Sequence, residues 1–187
     1  MRNIHTREQF NALAQKIIGL RLSEVAYYEI EDNEPGYLYK TDIGHFLDFG
    51  LDLVAEDGRC FSILWDDTFF QFGVGIYSHS AAKQIRVDRR WVVTKNSEWA
   101  PCIGETIKSA EVFWSLVEVS ENGSQRTRIY YPQDIILTFS NERRIYISAS
   151  EWWEPNQEVK GLSDNILVVF SDRIAAQHKL AHFVLNS

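Results

Sequence analysis

Leu53-Val54-Ala55-Glu56-Asp57-Gly58-Arg59-Cys60-Phe61-Ser62-Ile63 is the stretch whose reading decides the fold class. Apolar-rich runs flank Asp57-Gly58, and an Asp-Gly pair in that setting is the strongest short-range hairpin signal. Residues 51–65 therefore read as two antiparallel strands. The same pattern returns 84 positions later as Leu137-Thr138-Phe139-Ser140-Asn141-Glu142-Arg143-Arg144-Ile145-Tyr146-Ile147. Two echoes precede these hairpins. Ile18-Gly19 returns as Ile103-Gly104, an offset of 85, and Ser23-Glu24-Val25-Ala26-Tyr27 as Ala110-Glu111-Val112-Phe113-Trp114, an offset of 87. Their common order predicts an internal duplication: two similar half-domains, 1–98 and 101–187, sharing one core in a single compact domain.

Working outward, Thr6 and Gln9 form a T-x-x-Q capping box, which predicts a helix over about 7–18. Phe10, Leu13, Ala14, Ile17 and Ile18 make its apolar stripe, and Gly19 is a natural stop. From Arg21 the period changes to two, and strands are expected at Phe69–Tyr77, Val87–Thr94 and Ile107–Ser120. Gly73 and Gly75 predict a bulge or a close backbone approach. The segment from Arg126 to Tyr131 returns as a strand that Pro132 is expected to end. Ile166–Phe170 reads as a buried strand, Ile174–Gln177 as a helical turn, and Leu180–Leu185 closes the chain. The fold class is α+β, predominantly antiparallel β with one N-terminal helix.

The formal charge of −7 and pI near 5.2 weigh against nucleic acid, whose binding draws its affinity from Lys and Arg on phosphates. They weigh equally against an anionic membrane surface. No apolar run approaches the ~20 residues of a membrane helix. The charged Met1–Glu8 segment lacks the apolar region of a signal peptide. Cys60 and Cys102 are too few and too far apart for a disulfide framework or a zinc site. The expectation is a cytoplasmic protein with two reduced thiols.

Several stretches imitate chemical motifs and fail on context. Gly73-x-Gly75 sits among aromatics inside a strand and lacks the helix a dinucleotide fingerprint needs. Gly104 to Lys108-Ser109 lacks the second glycine of a phosphate loop. His178 and His182 have metal spacing on a helix but no third ligand in register. Arg86-Val87-Asp88-Arg89-Arg90-Trp91 could grip a phosphate, yet it reads better as an ion-paired strand face. No catalytic residue, metal site or cofactor is assigned.

One constellation remains. Trp65-Asp66-Asp67 follows the first hairpin and Trp152-Trp153-Glu154 the second. If the halves are related by a pseudo-two-fold, these acidic-aromatic loops occupy equivalent places. Trp152 and Trp153 are adjacent, so in an extended strand they point to opposite faces. Exposed Trp beside carboxylates suits a binding surface for a basic partner. The chain is thus read as a non-enzymatic, acidic protein-binding protein. In small size, acidity and β-rich character it is similar to immunity proteins that neutralise bacterial toxins; no stretch matches a family motif, so no functional residue carries over. The alternatives are an enzyme or small-ligand binder with its site in the cleft between the halves, or a structural domain.

Overall fold

The helix read from Thr6 and Gln9 is present in the computed structural model, which describes residues 6–29, 40–80, 89–120, 126–153 and 158–181. The Thr6 hydroxyl accepts from the Gln9 N–H (3.2 Å), and the Gln9 side chain accepts from the Thr6 N–H (3.3 Å). This box starts α1 (Arg7–Ala14), which tightens to a 3-10 turn over Gln15–Ile17. Ile18 is already extended, so the helical segment ends one residue short of the sequence expectation.

Ten strands follow among the described residues: β1 (Leu22–Glu29), β2 (His45–Leu47), β3 (Gly50–Ala55), β4 (Cys60–Asp66), β5 (Gly73–Tyr77), β6 (Arg89–Val92), β7 (Ile107–Val119), β8 (Thr127–Phe139), β9 (Arg144–Trp153) and β10 (Glu158–Val169). A second helix, α2 (Asp172–Gln177), is capped by the Ser171 hydroxyl. The strands form two antiparallel sheets, β5-β4-β3-β1-β6 and β2-β10-β9-β8-β7. The fold is α+β and mostly antiparallel β, as the hairpin signals required.

Alternation decides which side chains face inward. Leu51, Leu53 and Ile63 of the first sheet meet Ile135, Leu137 and Ile147 of the second in one core, closed at one end by Phe10, Ala14 and Ile17. Each such side chain stabilises the fold by about 1.5–3 kcal/mol relative to exposure. The outer face of the second sheet carries a smaller cluster, Phe46, Ile136, Tyr146 and Leu167, covered by Ala175 of α2.

The two sheets are joined by a reciprocal seam. Leu22 N–H donates to Glu105 C=O (3.0 Å) and Ile107 N–H to Leu20 C=O (2.9 Å). Adding 85 to each residue of the first bond's donor, and subtracting 85 from its acceptor, gives the second. The 3-10 turn at Ala100–Cys102 likewise lies 85 positions after Gln15–Ile17. The hairpins close alike, Ala55 N–H to Arg59 C=O and Phe139 N–H to Arg143 C=O. We propose common descent of the halves on this ground. One echo is out of register, however. Val25 pairs with Leu53 while Ala110, not Val112, pairs with Leu137, so the offset on this strand is 85. The sheets also exchange material: β2, from the first half, edges the second sheet beside β10.

Pro132 does not end its strand. β8 continues through it, because the ladder to β7 skips one residue there and the missing N–H is tolerated at a bulge. Leu180 and Ala181 lie in a turn after α2 rather than a strand; residues 182–187 and Arg86 to Asp88 lie outside the described residues. Gly75 does mark a close approach, since a Cβ there would collide with the Asp66 carboxyl.

Candidate functional site

The bulge in β8 builds the site. Phe113 pairs with Asp134 and Trp114 with Pro132, leaving Gln133 unpaired between them. On the other side of β8, the ladder to β9 runs from Thr138–Arg144 only as far as Asp134–Ser148. Beyond that pair the second sheet divides into two ribbons, β7–β8 and β9–β10, and a cavity of about 380 Å³ lies at the fork.

Gln133 takes over where the ladder stops. Its amide nitrogen lies 2.8 Å from Ala149 C=O and within reach of the Ser148 (3.1 Å) and Ser150 (3.2 Å) hydroxyls. Its oxygen accepts from Leu162 N–H at 3.3 Å. A Cβ at Gly161 would come within 2.5 Å of that oxygen, so the close approach of β10 requires glycine. The amide thus substitutes for the backbone hydrogen bonds that the bulge removes.

Asp134 is the charged member of this floor. It is 6% exposed, and its Oδ2 accepts from Ala181 N–H (3.0 Å), while Oδ1 has no hydrogen-bond partner among the described residues. Burial pushes its pKa up to about 6, against the opposing pull of the Ser148 hydroxyl and the Ala181 N–H. Phe113, Leu116 and Val159 supply apolar wall, and the turn His178–Leu180 supplies the roof. That turn is strained: Lys179 (φ 59°) and Ala181 (φ 52°) hold left-handed backbone without being glycine.

The residues singled out in the sequence separate into two groups. Trp65 is half-buried in the first sheet, donates to Asp48 C=O (2.8 Å) and packs edge-on to Phe49 and Phe72. Asp66 accepts from Tyr77 OH (2.9 Å) and Thr68 N–H (3.0 Å), and burial raises its pKa. Both side chains are thus partly engaged within the first half; Asp67 is exposed. Trp152 packs on the outer face of the second sheet, edge-on to His178 at 5.6 Å. Trp153 points the other way, 41% exposed, with Lys160 Nζ 4.1 Å from its ring centre. Glu154 lies outside the described residues. The two loops are not equivalent, because equal hairpin turns keep the β4-to-β9 offset at 84 and align Trp65 with Ala149.

Gln133, Asp134, Ser148 and Ser150 escaped the sequence reading. Their signal was a polar Gln-Asp pair breaking an apolar run, and alternating serines in Ile147-Ser148-Ala149-Ser150. Elsewhere, Arg90 is ion-paired with Glu24 (2.8 Å) and Lys108 with Glu142. Burial pushes the Cys60 thiol up to about 12 and the Cys102 thiol to about 11. Among the described residues no group of three His, Cys, Asp or Glu is placed to hold a metal, and no helix is long and apolar enough to cross a membrane. His182 is outside them. No protein-family model, curated protein or solved structure matches the chain.

Proposed function

We propose that the chain is a non-enzymatic, acidic binding protein of the cytoplasm that captures a basic protein across the mouth of the fork. An immunity protein neutralising a bacterial toxin is the instance its general character fits. The distribution of exposed apolar surface carries this reading. Among the described residues the exposed large hydrophobics are Val92, Leu116, Tyr130 and Trp153. Three of the four lie on the ribbons flanking the fork, and Leu116 and Tyr130 are a cross-strand pair. Exposed aromatic side chains such as Tyr130 and Trp153, carried with Leu116 on these ribbons, are what interface hot spots use, and a charge of −7 attracts a basic partner at long range.

The test is affinity capture with the wild-type chain and a Leu116→Ala, Tyr130→Ala, Trp153→Ala triple variant of matched thermal stability. A basic protein retained by the wild type, released by salt and lost by the variant is expected. Undiminished retention by the variant overturns this placement of the site.

The cavity favours a second reading, a small-ligand binder, because its floor is polar and buried while its walls are apolar. This recess lies within the second sheet, not in the cleft between the halves where the sequence placed it. Binding of a small ligand by the purified chain, with no protein partner captured, separates this reading from the first.

A further inference from the structure

We propose that the floor of the fork seats one cationic head group, an ammonium or guanidinium, delivered by a Lys or Arg side chain of the partner. This deepens the reading above and rests on it.

The recess is rich in acceptors. Asp134 has two carboxyl oxygens against one N–H donor, from Ala181, and the pull of one hydroxyl, from Ser148. Ser148 and Ser150 face each other at 2.6 Å and share the Gln133 amide nitrogen as a donor, while the Gln133 oxygen has a single 3.3 Å donor. Hydroxyl and amide oxygens each keep acceptor capacity beyond one bond. Acceptors outnumber donors in this set, and an ammonium or guanidinium brings further donors.

Cations already nearby do not serve. Lys179 in the roof is exposed, and half-buried His178 is engaged edge-on by Trp152. Neither is among the influences on the Asp134 carboxyl, whose state is set by burial, the Ser148 hydroxyl and the Ala181 N–H. An ionised carboxylate in that position is poorly compensated, and an entering cation offsets the cost. Since Oδ1 is closed to solvent, Asp134 acts through its charge across a recess of low dielectric. Ser148, Ser150 and the Gln133 oxygen make the direct bonds.

The walls fit the rest of such a side chain. Lys and Arg carry an apolar stem beneath a charged head, and Phe113, Leu116 and Val159 line the way to the floor. At about 380 Å³ the cavity falls within the ~300–1,000 Å³ of ligand pockets, large enough for one such side chain.

The full chain is titrated with n-butylguanidinium, n-butylammonium and n-butanol, followed by calorimetry and amide NMR. Both cations are expected to bind saturably and to shift the Ala181 and Leu162 amides, while the alcohol does neither. Asp134→Asn should weaken the cations at least tenfold. Equal binding of the alcohol by the wild type overturns the inference without any variant, as does cation binding indifferent to Asp134→Asn. Partner capture is measured in parallel. Capture lost in the triple rim variant but undiminished by Asp134→Asn, with no cation bound, sinks this inference and leaves the binding reading standing. Cation binding together with capture indifferent to every substitution overturns both that reading and the partner as the source of the cation.

Discussion

Gly19 and Gly104 are reciprocal partners across the seam: Gly19 N–H donates to Ile107 C=O (2.9 Å) and Gly104 N–H to Leu22 C=O (2.7 Å). Both adopt left-handed backbone, φ 83° and 79°. A Cβ at Gly19 would meet nothing within 4 Å, and one at Gly104 only the end of Arg21 at 3.9 Å. Alanine at either position therefore costs conformational strain without a clash. Left-handed backbone costs about 1–2 kcal/mol in a residue with a Cβ, offset by about 0.4–1 kcal/mol from a stiffer unfolded chain. Gly19→Ala and Gly104→Ala should each destabilise by about 1 kcal/mol, and by similar amounts, in urea denaturation. Unequal costs would show that the seam is not balanced as its hydrogen bonds are.

The same two-sheet body holds two buried ionisable groups whose effects oppose. The Asp134 pKa rises from 3.8 to about 6, so the folded state binds more protons than the unfolded between those values. Its stability contribution is full below about pH 4 and is lost as pH rises through 6. His45 is 1% exposed between the sheets, with Nδ1 2.7 Å from Tyr27 OH. Burial lowers its pKa from 6.5 to about 4, so its contribution is present above 6.5 and lost as pH falls toward 4. From pH 4 to 6 the two contributions should accordingly oppose each other. Asp134→Asn should be more stable than wild type at pH 8 by roughly 2–3 kcal/mol, the advantage vanishing near pH 4. Urea denaturation across that range checks it, and a pH-independent difference would refute it.

Gly161 and Gln133 make the fork a fixed structure. With 2.5 Å between a Gly161 Cβ and the Gln133 oxygen, alanine forces the amide out of its bonds to Ala149, Ser148 and Ser150. Overpacking of this kind costs about 1–3 kcal/mol. Gly161→Ala should lose about that much stability in a chemical melt and also lose cation binding in the recess. Unchanged stability would mean that the Gln133 amide is not held by these partners.

The parts of the fold governed by local rules were readable from sequence. The Thr6–Gln9 box, the Asp57-Gly58 turn and the length of β7 follow from capping, turn chemistry and alternation, all short in range. Pro132 was misread because its missing N–H breaks a ladder only where a partner expects it, and a bulge removes that expectation. The fork was invisible for the same reason: Gln133 changes register without changing composition. The partners of Trp65 and Asp66 were not legible because sequence gives alternation but not which face is covered. Phe49 and Phe72, which pack on Trp65, lie in the segments just before β3 and β5, and the Tyr77 hydroxyl that Asp66 accepts from lies on β5.

These contacts yield the most direct test of which tryptophans bind and which hold the fold. Trp99 is fully buried and donates to Tyr27 OH at 2.5 Å, so Trp99→Ala should cost about 3–5 kcal/mol of stability. Trp65→Ala should also destabilise, losing its Asp48 bond and its contacts with Phe49 and Phe72. Trp153, 41% exposed under the Lys160 ammonium, should change stability by less than about 1 kcal/mol when replaced by Ala. Its loss should instead cost about 2 kcal/mol or more in partner affinity if the ring is a central anchor. Melting temperature and affinity measured on all three variants separate the roles. A Trp153 variant that melts early and binds normally would move this ring from the binding face to the fold.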